Sequence, residues 1–291
     1  MNAYDSVRSF GQVFDQVAEA YDKVRSGYPE SLIDLALRRG SLAPASRVLE
    51  VGSGTGKLTE LLVKRQLKVD AVEPGSNMIA AARRRLGETD AVTFHVGRFE
   101  DVDLPESTFD AVFSATAFHW VDPEVGWAKA ASHLKDDGLL ALLSHLALRD
   151  EQSAAVQDEL RAVLFKHAPD VAAGWHPPRE LDAVLGGVPD RRGNASEVWD
   201  WLISAGQHRV AVPAAADLFV DVEVTTEVGE VEETADELIA HYRTTSLYHR
   251  IDPARRDALE RDDRRVIERN GGTIRWPLGV VLMTARRAPG L

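Results

Sequence analysis

The sequence predicts an α/β protein with a Rossmann-like, doubly wound sheet. Short aliphatic runs alternate with longer helical segments between Pro44 and Leu143, which is typical of a parallel sheet wrapped by helices. One run, at 48–51, leads directly into a glycine-rich turn, as strands do in nucleotide-binding α/β folds. The 291 residues suffice for one large domain of this kind with an insertion, because domains most often have roughly 100–200 residues.

Five runs in the first half of the chain have the length and composition of buried strands. Segments with a helical pattern of apolar residues lie between most of them, at 58–65, 76–86 and 123–134. Regular structure returns near the C terminus, where alternating apolar runs at 218–228 and 279–285 flank further helical segments. The five early strand predictions are 47–51, 68–73, 92–96, 111–114 and 139–143.

The remaining segments divide the chain into four parts. Two helical stretches separated by Ser26-Gly27-Tyr28-Pro29 indicate an N-terminal helical arm. A later segment rich in glycine, proline and tryptophan is too irregular for another strand-helix-strand unit, and we interpret it as an inserted helical cap for the substrate. The predicted parts are the arm or lid at 1–40, the core at 41–148, the cap at 149–215 and the strands and helices that complete the sheet at 216–291.

The composition argues against several classes of function. The chain has no cysteine, which rules out disulfides and cysteine-ligated zinc and fits a reducing compartment. Its first ten residues form neither a basic leader nor an apolar run, so we expect a cytoplasmic protein. The formal net charge of −12 disfavours nucleic acid as a partner, and the cluster Arg83, Arg84 and Arg85 is interpreted as a solvated helix face. No stretch approaches the ~20 apolar residues of a membrane helix, so no membrane partner is expected.

The glycine-rich turn at 52–56 carries the strongest functional signal. Glycine lets a ligand lie against the backbone, and here the turn opens a predicted helix at Lys57. Glu73 ends the next predicted strand, 21 positions after Gly52, where this fold places a carboxylate that binds both hydroxyls of a ribose. These positions together predict a nucleoside site.

Two residues indicate which cofactor fits this site. The dinucleotide fingerprint G-x-G-x-x-G places its third glycine where this chain has Lys57. Glu50, directly before the turn, would repel a pyrophosphate but suits the amino group or sulfonium of S-adenosylmethionine (SAM). We therefore predict SAM as the cofactor. Two alternatives stay open: a SAM-binding protein that transfers no methyl group, and an NAD-dependent reductase, which Lys57 and Glu50 disfavour.

Further motifs accompany the glycine turn. They are Phe14-x3-Ala18-x2-Tyr21-Asp22-x2-Arg25-x2-Tyr28-Pro29, Gly97-Arg98-Phe99-Glu100-Asp101, Leu104-Pro105, Phe109-Asp110, Ala117-Phe118-His119-Trp120 and Asn270-Gly271-Gly272-Thr273. With these motifs the chain resembles, nearly end to end, the class I SAM-dependent methyltransferases. Within them it is similar to a bacterial subgroup with small-molecule acceptors that carries an Ala-Phe-His-Trp segment. The resemblance implies a seven-stranded sheet whose last strand is antiparallel, with 218–228 and 279–285 as strands six and seven.

The resemblance also implies roles around the cofactor. Glu73 binds the ribose, the glycine turn holds the methionine moiety, and Met78 packs on the adenine. A backbone N–H near Phe99 binds the adenine edge, together with a carboxylate that is either Glu100 or Asp101. Tyr21 and Arg25 of the arm close over the site, and Arg25 pairs with the carboxylate of SAM. The predicted cofactor-binding residues are Tyr21, Arg25, Glu50, Gly52, Ser53, Gly54, Gly56, Glu73, Pro74, Met78, Arg98, Phe99, Glu100 and Ser114.

Candidates for the chemistry follow strands four and five. Methyl transfer from a sulfonium requires alignment of donor and acceptor, and a base when the acceptor must lose a proton. His119 lies where ligands bind in open α/β sheets and is either this base or a packing residue, with Trp120 as a pocket wall. His145 is predicted to line the acceptor pocket. The other histidines lack metal-ligand spacing, and no metal is expected. The sequence does not distinguish O-, N- and C-methylation. It also leaves open whether the protein forms a homodimer.

Overall fold

The structure, a computed structural model, describes residues 13–204 and 215–291. Residues 1–12 of the predicted arm and 205–214 of the predicted cap lie outside the described residues. Each of the seven predicted strands is present, and the last four extend beyond the predicted runs because polar residues at their ends also pair with neighbouring strands, which hydrophobic periodicity does not report. The strands are β1 (Arg47–Val51), β2 (Lys68–Glu73), β3 (Val92–Val96), β4 (Phe109–Ala115), β5 (Leu134–Ala147), β6 (Phe219–Thr234) and β7 (Thr273–Arg287).

The strands form one sheet in the order β3-β2-β1-β4-β5-β7-β6. Neighbours among β1 to β5 are parallel, and β7 is antiparallel to both β5 and β6. The predicted seven-stranded, doubly wound sheet with an antiparallel last strand is therefore confirmed. The strand order reverses between β1 and β4, so the connections leave in opposite directions and a crevice opens at the carboxyl ends of these strands.

Helices cover both faces of the sheet, and local sequence explains several of their starts. Asp122 accepts a hydrogen bond from the backbone N–H of Glu124 just before α5, and Thr234 forms a capping box with Glu237 before α10. None of the helices in the two described ranges is long and apolar enough to cross a membrane. The helices are α1 (Ala18–Val24), α2 (Glu30–Arg39), α3 (Lys57–Lys64), α4 (Ser76–Leu86), α5 (Pro123–His133), α6 (Ala154–His167), α7 (Pro169–Ala172), α8 (Leu181–Gly186), α9 (Ala195–Ser204), α10 (Ala235–Tyr242), α11 (Ser246–Arg250) and α12 (Pro253–Arg269).

The predicted cap forms a packing layer where it is described, at 149–204. Helix α9 buries Trp199 and Leu202 in the same apolar cluster as Phe109 of the sheet and Trp127 of α5. None of these described residues lines the large cavity at the carboxyl edge. Because residues 205–214 lie outside the described residues, the interpretation as a substrate cap stays a prediction. Glycine and proline suggested an irregular surface segment, whereas the apolar face of α9 decides where the segment packs.

Candidate active site at the carboxyl edge of the sheet

A cavity of about 930 Å³ opens at the carboxyl ends of β1, β2, β4 and β5. The arm, the glycine turn, the turn after β4 and the connection between β6 and β7 contribute to its walls. This volume lies near the upper end of the roughly 300–1,000 Å³ that is typical of small-molecule sites. The predicted site residues that line it are Tyr21, Arg25, Glu50, Gly52, Ser53, Gly54, Glu73, Pro74, Met78, Arg98, Phe99, Glu100, His119, Trp120 and His145.

The turn between β1 and α3 requires glycine at two positions. Gly52 has a φ of 74°, and a Cβ there would lie 2.3 Å from the Cβ of Ala117. Gly56 has a φ of 81°, and its Cβ would lie 2.9 Å from the Cβ of Ala82 on α4. Gly56 is not among the residues that line the cavity. Gly56 has a packing role, because it lets α3 and α4 approach each other closely, and its cofactor contact stays a prediction.

Ser114 also lies outside the cavity lining. Its side chain is fully buried in β4, and its hydroxyl donates a hydrogen bond to the Val51 carbonyl at 2.7 Å. The strand extends to Ala115, one residue further than predicted, so the chain reaches the cavity only from Ala115 onward. Its position in the strand commits this hydroxyl to the neighbouring strand, and cofactor binding by Ser114 stays a prediction.

Glu73 lies in the cavity wall at the end of β2 and is only 9% exposed. Its carboxylate oxygens accept hydrogen bonds from the backbone N–H groups of Gly54 at 2.9 Å and Gly75 at 2.8 Å. Burial raises the pKa of Glu73 despite these two bonds. Each oxygen retains a lone pair for a ligand hydroxyl. The hydroxyl of Ser53, also in the cavity wall, is buried without a hydrogen-bond partner among the described residues, so both groups suit a polar ligand.

Glu50 is an almost completely buried carboxyl group, 1% exposed, in the wall of the same cavity. It accepts a hydrogen bond from the hydroxyl of Thr59 at 2.7 Å. Burial raises the pKa of Glu50 to about 8, with a smaller contribution from nearby Glu73. A cationic ligand group beside Glu50 would favour its ionised form.

Apolar side chains form the end of the cavity next to α4 and β3. Met78 and Phe99 are each 3% exposed and line the cavity. Glu100 lines it as well, whereas the side chain of Asp101 is 65% exposed and pairs with Arg98 at 2.9 Å. Of the two acids that the sequence left open, Glu100 is the one at the cavity.

The arm is tied to the core by charged residues. Asp22 on α1 accepts a hydrogen bond from Arg85 at 2.6 Å and lies 3.7 Å from Lys57. Asp15 accepts a hydrogen bond from the backbone N–H of Asn77 at 2.7 Å, in the first turn of α4. The interpretation of the arginine cluster as a solvated helix face is wrong for Arg85, because its partners Asp22 and Glu60 are 63 and 25 residues away and no local pattern reveals them.

Arg25, next to Tyr21, contacts the connection between β6 and β7. The Arg25 guanidinium lies 5.3 Å from the centre of the Tyr21 ring and donates to the hydroxyl of Thr244 at 3.1 Å and to its carbonyl at 3.2 Å. Thr245 and Ser246, which the sequence did not indicate, line the cavity. Helix α10 packs against α1 and thereby brings this connection to the site.

The Ala-Phe-His-Trp segment makes one turn of 3₁₀-helix after β4, at Phe118–Trp120. Phe118 is buried and packs on Trp127, with ring centroids 5.0 Å apart, which anchors the turn. His119 and Trp120 line the cavity, and Trp120 meets the ring of Phe14 edge to face at 5.6 Å. The segment is thus both a packing element and a cavity wall.

His145 connects the end of β5 to the arm. Its Nε2 lies 3.0 Å from the Gly27 carbonyl, which fixes the ring proton on Nε2, and its Nδ1 lies 3.5 Å from the hydroxyl of Thr116. That hydroxyl is 3.0 Å from the Tyr28 hydroxyl, and the Tyr28 ring packs 4.9 Å from the imidazole. Burial lowers the pKa of His145, so the imidazole is neutral near pH 7.

Comparison with known proteins identifies relatives with the same core. A family profile described as Methyltransferase domain matches residues 49–142, which include the glycine turn, Glu73 and His119. An uncharacterized methyltransferase of Mycobacterium tuberculosis is 38% identical over 153 residues, or 53% of this chain and 59% of that protein. An uncharacterized methyltransferase of Geobacillus sp. (strain WCH70) is 33% identical over 172 residues, or 56% of this chain and 80% of that protein.

A solved structure extends the similarity of fold over nearly the whole chain. The cyclase SpnF matches with a TM-score of 0.53 at 17% identity, covering 97% of this chain and 96% of that one, which shows the fold alone. The match to the Mycobacterium tuberculosis relative spans less than two thirds of that protein's length. The matched profile, the Geobacillus relative and the sheet topology establish that the chain belongs to the class I SAM-dependent methyltransferases.

Proposed function

We propose that the protein transfers the methyl group of SAM to a small-molecule acceptor and leaves S-adenosylhomocysteine (SAH). The observation that carries this proposal is the carboxylate of Glu73, which two backbone N–H groups hold beside the glycine turn in a cavity of about 930 Å³. A buried carboxylate with remaining lone pairs suits the two hydroxyls of a ribose. A Cβ at Gly54 would meet no atom within 4 Å, so a ligand has room against the backbone there.

The remaining wall fits the other parts of SAM. Met78 and Phe99 offer apolar surface for the adenine, and Glu100 offers a carboxylate for its amino group. Glu50, at the opposite side of the glycine turn, suits the amino group of the methionine moiety. Arg25 lines the same cavity and is the group we assign to the methionine carboxylate.

The chain's own residues then have to align the acceptor and manage its proton. SAM supplies a methyl carbon that its sulfonium has already activated for in-line displacement. His119 lies in the wall after β4 and is the proposed base for an acceptor that must lose a proton, while Trp120 limits the space for the acceptor. The arm lies over the cavity and keeps water from the reaction, which favours methyl transfer.

Other features of the molecule favour a small acceptor and a cytoplasmic location of the protein. The formal charge of −12 opposes binding of a nucleic acid, and the cysteine-free chain suits a reducing compartment. The arm covers the site through contacts with α4 and with the connection between β6 and β7, which favours an acceptor small enough to be enclosed.

Two measurements test the proposal. Calorimetry with SAH and with NAD distinguishes the cofactor, and tight NAD binding without a response to SAH would overturn the assignment. Transfer of a tritiated methyl group from SAM to small molecules of a cell extract tests the chemistry. SAH binding without any transfer would instead support a SAM-binding protein that is not a methyltransferase, a real alternative because a cyclase shares the fold.

A further inference from the structure

Three polar side chains in the wall of the large cavity form a chain of hydrogen bonds. The hydroxyl oxygens of Tyr28 and Thr116 lie 3.0 Å apart, and the Thr116 hydroxyl lies 3.5 Å from Nδ1 of His145. The other ring nitrogen of His145 donates to the Gly27 carbonyl at 3.0 Å. All three side chains line the large cavity, yet the proposed methyl transfer assigns no role to the two hydroxyls.

The direction of each hydrogen bond follows from the Gly27 end of the chain. A carbonyl only accepts, so the ring proton of His145 is on Nε2. Burial lowers the pKa of His145, so the ring is neutral near pH 7 and its Nδ1 only accepts. Thr116 therefore donates to Nδ1 in a long hydrogen bond, and its oxygen accepts from Tyr28. A phenol is also a more acidic donor than an aliphatic alcohol, which favours the same direction.

The Tyr28 hydroxyl is thereby left as an acceptor. Burial raises the pKa of Tyr28, so the hydroxyl keeps its single proton at neutral pH, and this proton is directed at Thr116. Within the described parts of the chain, Thr116 is the one hydrogen-bond partner of this hydroxyl. The Tyr28 oxygen therefore retains a lone pair for a donor that a ligand supplies.

The same hydroxyl lies at the large cavity. Tyr28 also lines a neighbouring cavity of about 490 Å³, whereas Thr116 lines the large cavity and not the neighbouring one. Because the two hydroxyl oxygens are 3.0 Å apart, the Tyr28 oxygen is within reach of a ligand in the large cavity.

The backbone holds Thr116 in an unusual conformation at this place. Its φ is 52°, in the left-handed region that a β-branched residue rarely adopts. Its backbone N–H donates to the Leu143 carbonyl at 2.8 Å, two residues before His145 on β5. Strained residues of this kind are common at binding sites, where the surrounding structure fixes them. Here the strain accompanies the placement of the Thr116 hydroxyl between Tyr28 and His145.

Aromatic rings line the same cavity. They belong to Phe14, Tyr21, Tyr28 and Trp120. Phe14 meets Trp120 and Tyr21 edge to face, with ring centroids 5.6 and 5.8 Å apart, so the rings join the arm to the turn after β4. Such a wall favours an aromatic ligand, because aromatic pairs attract each other beyond the effect of the area that they bury.

We propose that the methyl acceptor is an aromatic molecule with an O–H or N–H group, and that Tyr28 positions it by accepting a hydrogen bond from that group. Thr116 and His145 direct the Tyr28 proton away from the ligand, so the site selects a donor and disfavours a group that can only accept. Tyr28 is a positioning residue, and its own proton stays in place. This inference rests on the proposed methyl transfer.

Fluorine NMR titrations of the protein saturated with SAH test this selection. The probes are para-fluorophenol and para-fluoroaniline, which donate, para-difluorobenzene, which has a similar size and no donor, and para-fluoroanisole, whose oxygen only accepts. We expect at least one of the two donors to bind about two- to tenfold more tightly than para-difluorobenzene, the range that one neutral hydrogen bond provides. The donor that binds more tightly distinguishes a hydroxyl acceptor from an amino acceptor.

Three variants assign the selection to the hydrogen-bond chain. Tyr28→Phe removes one oxygen and keeps the ring, and we expect it to abolish the preference for donors. Tyr248→Phe is the matched control and should keep the preference, because the Tyr248 hydroxyl donates to Glu260 and Tyr248 does not line the large cavity. Thr116→Val keeps the β-branched shape but frees the Tyr28 proton. We expect it to bind para-fluoroanisole about two- to tenfold more tightly than the wild-type protein does.

The outcomes separate this inference from the proposed function. Equal affinity of the wild-type protein for the donors and para-difluorobenzene, or no binding of any probe, overturns the inference. A preference for donors that persists in Tyr28→Phe overturns it as well, and so does a Thr116→Val variant of normal melting temperature without the gain for para-fluoroanisole. A protein that binds SAH but shows no preference for donors contradicts only this inference, whereas a protein that does not bind SAH contradicts the proposed function.

Discussion

The cofactor side and the acceptor side of the cavity are built in different ways. On the cofactor side, contacts join residues that are close in sequence: Gly54 and Glu73 are 19 positions apart, and Glu50 and Thr59 are 9 apart. On the acceptor side, the partners are distant: Tyr28 and Thr116 are 88 positions apart, and Gly27 and His145 are 118 apart. A local motif therefore defines the proposed cofactor site, whereas the proposed acceptor site depends on how separate segments pack. If this division holds, substitutions on the two sides affect different measurements.

The largest effect is expected on the acceptor side, for His119→Ala. Turnover of an acceptor that must lose a proton should fall by about 10²–10⁴-fold, which is typical for removal of a general base. SAH affinity and melting temperature should remain nearly unchanged, because the neighbouring Phe118 anchors the turn. Turnover measured against pH in the wild-type protein and in the variant checks this expectation.

His119→Gln is the control for this experiment, because glutamine retains much of the size of histidine but does not act as a base near neutral pH. Turnover as low as in His119→Ala supports proton transfer. Near-normal turnover with an unchanged pH profile would reduce His119 to a wall of the cavity and remove the main chemical role that we assign to the acceptor side.

On the cofactor side, Glu73→Ala should weaken SAH binding by about ten- to a hundredfold. Hydrogen bonds to a charged group contribute roughly 1.5–3 kcal/mol, which corresponds to this range. Asp101→Ala is the charge-matched control, since Asp101 is on the same side of the molecule but does not line the cavity. Calorimetry with SAH gives the comparison. An affinity within about twofold of the wild-type value would mean that Glu73 does not bind the ribose.

The same division explains what the sequence could predict. The five parallel strands, the glycine turn and the placement of Glu50 and Glu73 at the cavity were accessible, because apolar periodicity and local turns specify them. The positions of Thr245 and Ser246 at the cavity could not be predicted, because only the packing of α10 on α1 brings them there. The ion pair of Arg85 with Asp22 could not be predicted for the same reason, since Asp22 belongs to the arm.

Other misses arose from boundaries and from composition. The end of β4 is one residue later than predicted, so Ser114 lies within the strand and does not line the cavity. The glycines of the turn look equivalent in the sequence, yet Gly56 faces Ala82 rather than the cavity. In the segment at 149–204, glycine and proline content gave no information about which face of a helix is buried.

The pH dependence of SAH affinity is a smaller expected effect on the cofactor side, and it tests the role of Glu50. The pKa of Glu50 is raised to about 8 by burial, so the carboxyl group is protonated at pH 6 without ligand. The cationic amino group of SAH favours the ionised carboxylate and lowers this pKa, so binding releases a proton. SAH affinity should therefore rise with pH, by up to about tenfold per unit, and level off above pH 8.

Two controls assign this pH dependence. Glu50→Gln cannot ionise, so its SAH affinity should stay flat between pH 6 and pH 8. Methylthioadenosine lacks the amino acid moiety and should bind the wild-type protein with little pH dependence. Calorimetry at both ends of this range measures all three cases. A slope that persists in Glu50→Gln would assign the titration to another group, such as Glu73, whose pKa is also raised by burial.

The smallest effect concerns the arm, which joins the two sides. Asp22→Asn removes the charge that holds α1 to Arg85 and Lys57, at 2.6 and 3.7 Å. Because partly exposed ion pairs contribute little, SAH affinity should fall only about two- to fivefold, while hydrogen exchange of residues 18–29 should become faster. Glu19→Gln is the matched control on the same helix, since its side chain is 81% exposed and lies 4.0 Å from Arg84. Equal exchange in Asp22→Asn and Glu19→Gln, with or without SAH, would show that Asp22 does not hold the arm closed.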